Sequence, residues 1–370
     1  AGLAVVNEEA VGEDVPAEGV LSQEVLPPRR LKAVARVLAN VAGPLRTEAN
    51  VRFGQPSFIG ADSPGFGFPF TDATQTDPLT GQTDGLLAKL TAHGHQPKVI
   101  YTNTSAEYAN LTMALIHLTA DQRADADVPD DVRIYQMAGT HHPGGNLPLD
   151  NRVFEAIGAY WMNSMDYRPI MRAALHNLEA WLTEGKAPPP SRHPRLSDGT
   201  LIPRAELRKR LAHLPGPGMA PQRIYPTVRL DWGSRPGCMD NVPPIVGEQY
   251  ADWVTAVDDD GNELAGIRPP DLAVPLATYT GWNPRHPSVG GSEVNFLLNG
   301  STVPFSREKI LTRYGTKHAF LAKVREATEA LIEARYLLAE DLEGILEVSS
   351  RRWDEFTALS SPLPLGRGLG

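Results

Sequence analysis

The chain has 370 residues, of which 41% are hydrophobic and 21% charged, as is ordinary for a globular protein. Its formal charge of -9 at pH 7 argues against nucleic acid or an anionic membrane surface as the main partner, because neither would attract it. Cys238 is the only cysteine in the sequence, so a disulfide within the chain and a cysteine-based zinc site are excluded.

The sequence gives no sign of membrane insertion or of export. No apolar stretch approaches the roughly 20 residues that a membrane-spanning helix needs, so we predict no transmembrane segment and a soluble protein. The first residues lack the charged-then-apolar order of a signal peptide. The compartment stays open between cytoplasmic and exported, and the oligomeric state is not determined. Because the chain begins with Ala1 rather than Met, we expect processing or truncation at this end.

The N-terminal part of the chain is acidic and weakly periodic, and we predict that residues 1–33 form a poorly ordered or altered leading segment. Residues 30–42 carry apolar side chains at helical spacing, although a buried strand in VARVLANVAG fits nearly as well. A long loop rich in Gly, Pro, Thr and Asp follows, and it is predicted to close into a helix at 85–93.

Two short apolar runs, at 99–101 and 132–135, enclose the helix-like segment ANLTMALIHL. This order of strand, helix and strand predicts a parallel, right-handed pair of strands. Ligands of open parallel sheets lie beyond the carboxyl ends of the strands. Four polar residues fall there: Ser105, Glu107, His141 and His142.

The rest of the chain alternates helical and extended patterns. A helix is predicted in DYRPIMRAALHNLEAWLTEG, stopped by Gly185, and the proline-rich segment after it is predicted to be extended. Its predicted apolar face consists of Met171, Ala174, Leu175, Leu178, Trp181 and Leu182. RIYPTVRLDW and YADWVTAVDDDGNELAGI read as strands, the latter as a hairpin turning at Asp260 and Gly261. The last element is a helix over 307–346, predicted in two pieces.

A series of ordered stretches within residues 34–354 resembles a bacterial family of large α/β-hydrolase-domain proteins, mostly of unassigned substrate. The stretches are VRFGQPS, FPFTDATQTDPLTGQTDGLL, VIYTNTSAEY, VRIYQMAGTHH, DYRPIMRAALHNLEAWLTEGKAPPPSRHPRLSDGTL, DDDGNELAGIRPPDLAVPLATYTGWNPR and EARYLLAEDL. The resemblance implies an α/β-hydrolase fold with an incomplete parallel-sheet core. We expect the C-terminal part of this core at 34–190 and a family-specific extension of short strands and helices at 191–370.

The nucleophile segment of this family resembles G-x-S-Q-x-G-R, and the corresponding place here holds GVLSQEVLPPRR. It keeps Ser22 but lacks the second glycine, so we expect the N-terminal half of the sheet to be missing or altered. No G-x-S-x-G elbow, which the sharp strand-to-helix turn requires, occurs in the chain. The order serine, acid, histidine leaves Ser22, Ser57, Ser63 and Ser105 as candidates, with Ser22 first by resemblance.

Glu107 and His142 are the predicted catalytic acid and base, because a triad histidine takes the serine proton while a carboxylate orients it. The resemblance assigns the histidine of the family motif G-T-x-H to His142 and makes His141 the variable position. An equally good interpretation of Glu107 is a carboxylate that balances the dipole of the following helix. The alternative for His142 is a loop histidine bound to backbone.

Four further side chains are predicted to contact substrate: Tyr101, Ser105, His141 and Trp282. An aromatic residue beside a proline turn more often packs a domain joint, and that alternative stays open for Trp282. Three acidic residues of the long loop could bind substrate or replace the acid, but are expected mainly to cap turns and, at Asp84, the helix start: Asp72, Asp77 and Asp84.

No metal and no cofactor is predicted. His93 and His95 could join the later histidines as ligands, but no carboxylate stands at a fixed spacing from them. DDDGNE, at 258–263, lacks the ligand spacing of a calcium loop, and a hairpin turn explains it more simply.

The sequence therefore predicts a hydrolase of small-molecule ester or amide substrates that works through an acyl-enzyme. The main alternative is a non-catalytic remnant with a binding role, and a metal-dependent hydrolase is a weaker third. Because no elbow frames Ser22, the sequence alone predicts that this chain is not labelled by a fluorophosphonate and scarcely turns over aryl esters.

Overall fold

The computed structural model describes residues 36–41, 43, 65–153, 156–214, 227–231, 233, 240–241, 244–291, 294–295, 298–361 and 363–364. The predictions for the leading segment 1–33 and for Ser22, Ser57, Ser63 and Cys238 therefore lie outside the described residues.

The elements are numbered in chain order. The helices are α1 Ala88–Ala92, α2 Ser105–Asn110, α3 Arg168–Thr183, α4 Arg204–Leu211, α5 Pro270–Ala273, α6 Arg307–Tyr314, α7 Lys317–Glu333 and α8 Leu342–Ala358. The strands are β1 Arg36–Asn40, β2 Gly65–Phe66, β3 Gln75–Thr76, β4 Thr83–Asp84, β5 Lys98–Thr104, β6 Val132–Met137, β7 Arg152–Val153, β8 Ala156–Ile157, β9 Trp161–Met162, β10 Leu201–Pro203, β11 Val228–Asp231, β12 Ile245–Gln249, β13 Trp253–Thr255, β14 Ala277–Thr280 and β15 Ser301–Pro304. Short 3₁₀ helices span Met113–His117, Pro287–Val289 and Ala339–Asp341.

A parallel sheet in the order β1, β5, β6 forms the centre of the fold. The predicted parallel pairing of the two apolar runs is confirmed, with Val99 opposite Val132. The helical interpretation of 30–42 is wrong where the structure describes it, because β1 is a strand. Leu38 packs on the α3 side of the sheet and Val37 on the opposite side. Because both faces of β1 carry apolar residues, the sequence lacks the alternation of a half-buried strand and was compatible with a helical spacing.

The crossover between β5 and β6 is broken rather than one continuous helix. The α2 helix ends at Asn110, and a 3₁₀ helix over Met113–His117 follows it. Between them Thr112 adopts the left-handed conformation with φ of 52°. A helix cannot continue through such a residue, which explains why the helical pattern of ANLTMALIHL is only partly realised.

The outer edge of β6 is covered by two distant extended segments. The N–H of Gln136 donates to the carbonyl of Arg192 at 2.8 Å, and the N–H of Ile267 donates to the carbonyl of Gln136 at 2.7 Å. The proline-rich segment, predicted only to be extended, forms a parallel bridge with β6 at Arg192. Both segments come from the C-terminal half of the chain. They cover the edge of β6, whose backbone groups would otherwise lack partners.

Helix α3 packs one face against the sheet, where Ala174 and Leu178 join a buried cluster with Ile100 and Tyr135. Leu175 is 47% exposed, so its predicted place on the buried face is wrong. Gly185, with φ of 69°, follows the end of the helix as predicted.

The C-terminal helical region has three helices where the sequence predicted two pieces. Breaks occur at Gly315, with φ of 71°, and at Arg335, with φ of 63°. Leu331 and Leu337 pack in the same cluster as Ile100 of the sheet. The region after 191 therefore shares a core with the sheet, and its predicted boundary at 190 stays a prediction.

The predicted hairpin turn is confirmed. The N–H of Gly261 donates to the carbonyl of Asp258 at 2.9 Å, and the N–H of Asp258 donates to the carbonyl of Asn262 at 2.8 Å. The carboxylate of Asp260 is held by Lys309 at 2.7 Å and Arg313 at 2.6 Å.

Among the helices in the described part of the chain, none combines the length and the apolar character needed to cross a membrane.

Helix α8 is anchored by Arg352, whose side chain is 2% exposed. Its guanidinium donates to the carboxylate of Asp271, at α5, and to the carbonyl of Ser164 at 3.1 Å. Burial lowers the pKa of Arg352 to about 10. A buried charge is tolerated only when it is paired, so this contact ties the end of the chain to α5 and to the segment before α3.

We predict that Arg352→Met lowers the free energy of unfolding by about 3–5 kcal/mol, because Asp271 loses its buried partner. Arg325→Met is the matched control on α7, where the guanidinium is 43% exposed and pairs at the surface; its cost should stay below about 1 kcal/mol. Urea unfolding of both variants measures the difference. Equal costs would show that the buried pair does not anchor α8.

Candidate active site

Glu107 and His142 meet at the carboxyl ends of β5 and β6. Nδ1 of His142 lies 2.9 Å from Oε1 of Glu107, as the predicted juxtaposition of the two strand ends requires. The carboxylate is completely buried, whereas the His142 side chain is 34% exposed. An imidazole in this position donates through Nδ1 and leaves Nε2 on the open side.

The second carboxylate oxygen of Glu107 caps helix α2. Oε2 accepts from the N–H of Thr104 at 2.7 Å and from the Thr104 hydroxyl, which completes a capping box with Glu107 as the third residue of the helix. The two interpretations of Glu107 are therefore not alternatives. One oxygen serves the helix terminus and the other serves the histidine.

The main chain of His142 is fixed from two sides. Its N–H donates to the carbonyl of Leu298 at 3.2 Å, and its carbonyl accepts from the hydroxyl of Tyr167 at 2.7 Å. Among the described residues, no hydrogen bond involves Nε2 of His142. The ring is therefore held through its backbone and Nδ1, and its second nitrogen is available.

His141 points into the protein. It is 3% exposed, and its Nδ1 accepts from the N–H of Gly300 at 3.2 Å. Burial lowers the pKa of His141 to about 4, so the ring is neutral near pH 7 and carries its proton on Nε2. That nitrogen is buried without a partner in the described part of the chain. This placement fits a residue that holds the loop, and the predicted substrate contact of His141 stays a prediction.

Ser105 is the first residue of α2 and is 1% exposed. Its hydroxyl donates to Glu263 and accepts from the N–H of Gly139 at 2.8 Å. Both bonds are internal, so Ser105 is structurally committed here, and neither its candidacy as nucleophile nor its predicted substrate contact is supported by this geometry.

Tyr101 and Trp282 have other partners, and their predicted substrate contacts stay predictions. The hydroxyl of Tyr101 donates to Asp72 at 2.9 Å, and burial raises the pKa of Asp72 to about 6. Trp282 is 3% exposed and packs with Ile202 and Leu207 in a buried cluster. It therefore occupies the joint between α2, α4 and β13, the alternative that the sequence left open.

The remaining predicted polar residues have local roles. Asp77 caps its own loop through Leu79 and Thr80 and pairs with Arg229. Asp84 accepts from the N–H of Gly85 at 2.8 Å but does not cap α1, whose cap is Leu87, so that expectation is wrong. Within the described residues, no group of three or more histidine, cysteine or acidic side chains is placed to hold a metal ion.

The sequence did not predict that Glu263 lies beside the candidate site. Its carboxylate is buried beside the strand ends and accepts from Ser105, Thr255, Gln136 and Gly139. The sequence offered only the DDDGNE turn as a signal, and nothing in that pattern showed that its last carboxylate reaches β5 and β6.

Chemically, the arrangement can take up a proton at Nε2 of His142 and stabilise the imidazolium through the buried Glu107 carboxylate. Among the described residues it contains no nucleophile in contact with the ring.

Comparison with known proteins gives one match. A family model described as "Alpha/beta hydrolase domain" matches residues 59–347, which is more than half of the chain. No curated protein matches the chain, and no solved structure does. The predicted fold class and family resemblance are thereby confirmed, while the bacterial source stays a prediction.

The buried His141 makes a prediction about stability. Its folded pKa of about 4 lies below the ordinary value of 6.5. As the pH falls from 6.5 towards 4, the unfolded chain binds the proton first, so stability is lost in that window. At pH 5 the loss from this residue should be about 2 kcal/mol.

His141→Asn keeps an acceptor for the Gly300 N–H but cannot titrate. The drop in unfolding free energy between pH 7 and pH 5 should therefore be about 2 kcal/mol smaller in the variant. Urea unfolding at the two pH values measures it, and an identical drop in both proteins would contradict the prediction.

Proposed function

The chain belongs to the alpha/beta hydrolase domain family, and we propose that it hydrolyses ester or amide bonds of small molecules, with His142 as general base and Glu107 as the carboxylate that orients it. The observation that carries the proposal is the 2.9 Å contact between Nδ1 of His142 and Oε1 of the buried Glu107.

This contact supports a definite proton path. With Nδ1–H donating to Glu107, Nε2 of His142 has its lone pair free to accept a proton from an attacking hydroxyl. The imidazolium that forms would be stabilised by the Glu107 carboxylate. Because this carboxylate is already buried and held by its capping box, it needs little reorganisation during the reaction.

The proposed reaction is acyl transfer in two stages. A serine oxygen attacks the carbonyl carbon, its proton passes to Nε2 of His142, and the same proton then protonates the leaving alcohol or amine. Water then attacks the acyl carbon and gives one proton to Nε2 of His142; the bond to the serine oxygen breaks, the acid leaves, and His142 returns the proton to the serine oxygen. The first candidate for this serine by resemblance is Ser22, which lies outside the described residues.

A second candidate function is a binding role without catalysis. The absence of G-x-S-x-G from the sequence favours it, because an acyl-transfer serine needs the sharp, exposed turn that this motif provides. On this hypothesis Glu107 and His142 persist as a structural hydrogen bond. The two candidates predict opposite results with a serine-reactive probe.

Under the proposed function, a fluorophosphonate should label the chain, and His142→Ala should slow labelling by roughly 100-fold or more. His93→Ala is the matched control, because His93 is exposed and its ring is hydrogen-bonded to the carbonyl of Lys89. Peptide mapping of the adduct identifies the serine.

Labelling that is absent, or that is equally fast in His142→Ala, would reject the hydrolase and favour the binding role. The sequence alone predicts that absence, so the experiment separates the proposal from the expectation drawn from the missing elbow.

We further predict that Glu107→Gln lowers kcat for short-chain aryl esters by on the order of 10³-fold or more with little change in KM, because an amide can hold the wrong tautomer of His142. Glu206→Gln is the control for the loss of one helix-terminal carboxylate, because Glu206 lies in the first turn of α4 and its side chain is 41% exposed. A kcat that is unchanged in Glu107→Gln would remove Glu107 from the mechanism.

A further inference from the structure

Glu263 is a buried carboxylate at the end of the hairpin turn, and the proposed mechanism does not use it. Its side chain is 3% exposed in total, and burial raises its pKa. No ion pair among the described residues involves it. Hydrogen-bond donors satisfy its carboxylate instead, because a buried carboxylate without partners would be costly.

The donors come from separate segments of the chain. Oε2 accepts from the Ser105 hydroxyl, from the N–H of Gly139 at 2.9 Å and from Nε2 of Gln136 at 2.9 Å. Oε1 accepts from the hydroxyl of Thr255, on β13. One carboxylate thus joins the start of α2, the end of β6 and the neighbouring strand β13.

Two of these donors stand next to the acid and the base. Ser105 is the first residue of α2, and Glu107 is the third. Gly139 lies just after β6, in the turn that leads to His142. Ser105 and Gly139 also bond directly, since the N–H of Gly139 donates to the serine oxygen at 2.8 Å.

The turn at Gly139 has little freedom to adapt. Its φ is 73°, and a Cβ at this position would lie 2.6 Å from Cδ1 of Leu272 and 3.2 Å from Sδ of Met165. The carbonyl of Gly139 also accepts from Asn163 at 2.6 Å. Both backbone polar groups of Gly139 are therefore held, and Glu263 is one of the two acceptors of its N–H, together with Ser105.

From this geometry we propose that Glu263 is a positioning residue, which holds the junctions of β5 with α2 and of β6 with the histidine loop at the separation that allows Glu107 to bond His142. The inference rests on the proposed function for its catalytic consequence, but its structural claim concerns the Glu107–His142 hydrogen bond itself.

Ser105→Ala and Thr255→Ala form a matched pair for the test. Each variant deletes one hydroxyl donor to the same buried carboxylate, and Ser105→Ala also removes an acceptor of the Gly139 N–H, so both should lower the thermal unfolding midpoint, Ser105→Ala by more. Only Ser105 links Glu263 to the element that carries Glu107. If Glu263 served stability alone, the hydrogen bond between Glu107 and His142 would be the same in the two variants.

The first readout is the low-field proton NMR signal of Nδ1–H in His142, assigned by its loss in His142→Ala. We expect Ser105→Ala to increase its solvent exchange rate at least roughly 10-fold and Thr255→Ala to leave it near the wild-type value. The second readout is aryl-ester turnover. Here kcat should fall roughly 10- to 100-fold in Ser105→Ala with KM unchanged, consistent with loss of alignment at the reacting groups.

Equal exchange rates in the two variants would overturn the proposal, and so would a rise in KM alone in Ser105→Ala, which would indicate a substrate contact instead. If Ser105→Ala does not fold, Ser105→Cys retains a weaker donor and should give an intermediate exchange rate. If the wild-type chain shows no turnover, the proposed function fails, while the proton signal still decides the role of Glu263.

Discussion

The Glu107 carboxylate is the interaction on which the arrangement of this site depends, because it has two oxygens and two separate partners. One oxygen closes the first turn of α2 through Thr104, and the other receives His142. Since the helix terminus fixes the carboxylate, the position of the acid follows from the junction of β5 and α2 and not from a flexible side chain. His142 must therefore be held where its Nδ1 reaches this carboxylate, and the segments packed around the histidine loop hold it there.

The segments that bring it there come from far along the chain. Asn163 donates to the carbonyls of Gly139 and Thr280, so it fixes the turn after β6 against β14. The carbonyl of Leu298 receives the N–H of His142, and Gly300, which donates to His141, packs so closely on the Thr280 carbonyl that a Cβ could not be accommodated. The region after residue 191 is therefore part of the support of the site. This explains why β14 and β15 are buried throughout although they lie outside the parallel sheet.

The sequence could predict those features that depend on neighbours along the chain. Apolar runs that end in polar residues predicted β5 and β6. Because ligands bind at the carboxyl ends of parallel strands, the sequence also predicted that Glu107 and His142 lie close together. The features that it missed depend on contacts between distant segments. Leu38 belongs to a strand because both faces of β1 are covered. Ser105 reads as an accessible polar residue until a carboxylate 158 positions later is placed against it. Trp282 similarly reads as a pocket wall until α4 and β13 are packed around it.

Two buried carboxylates, Glu107 and Glu263, hold the ends of β5 and β6, and they differ in their hydrogen-bond partners. Glu107 and Glu263 both raise the pKa of the buried Tyr108, after burial itself, so both act on the interior between β5, α2 and β13. The hydrogen bonds of Glu263 come from uncharged donors on Ser105, Gln136, Gly139 and Thr255. Glu107 instead contacts the ring of His142, the group that would gain a proton in the proposed reaction. In the proposed acyl transfer, the positive charge on the imidazole would develop directly beside the buried Glu107 carboxylate. A site preorganised in this way gains stabilisation at the moment when charge develops, which is the condition for electrostatic catalysis.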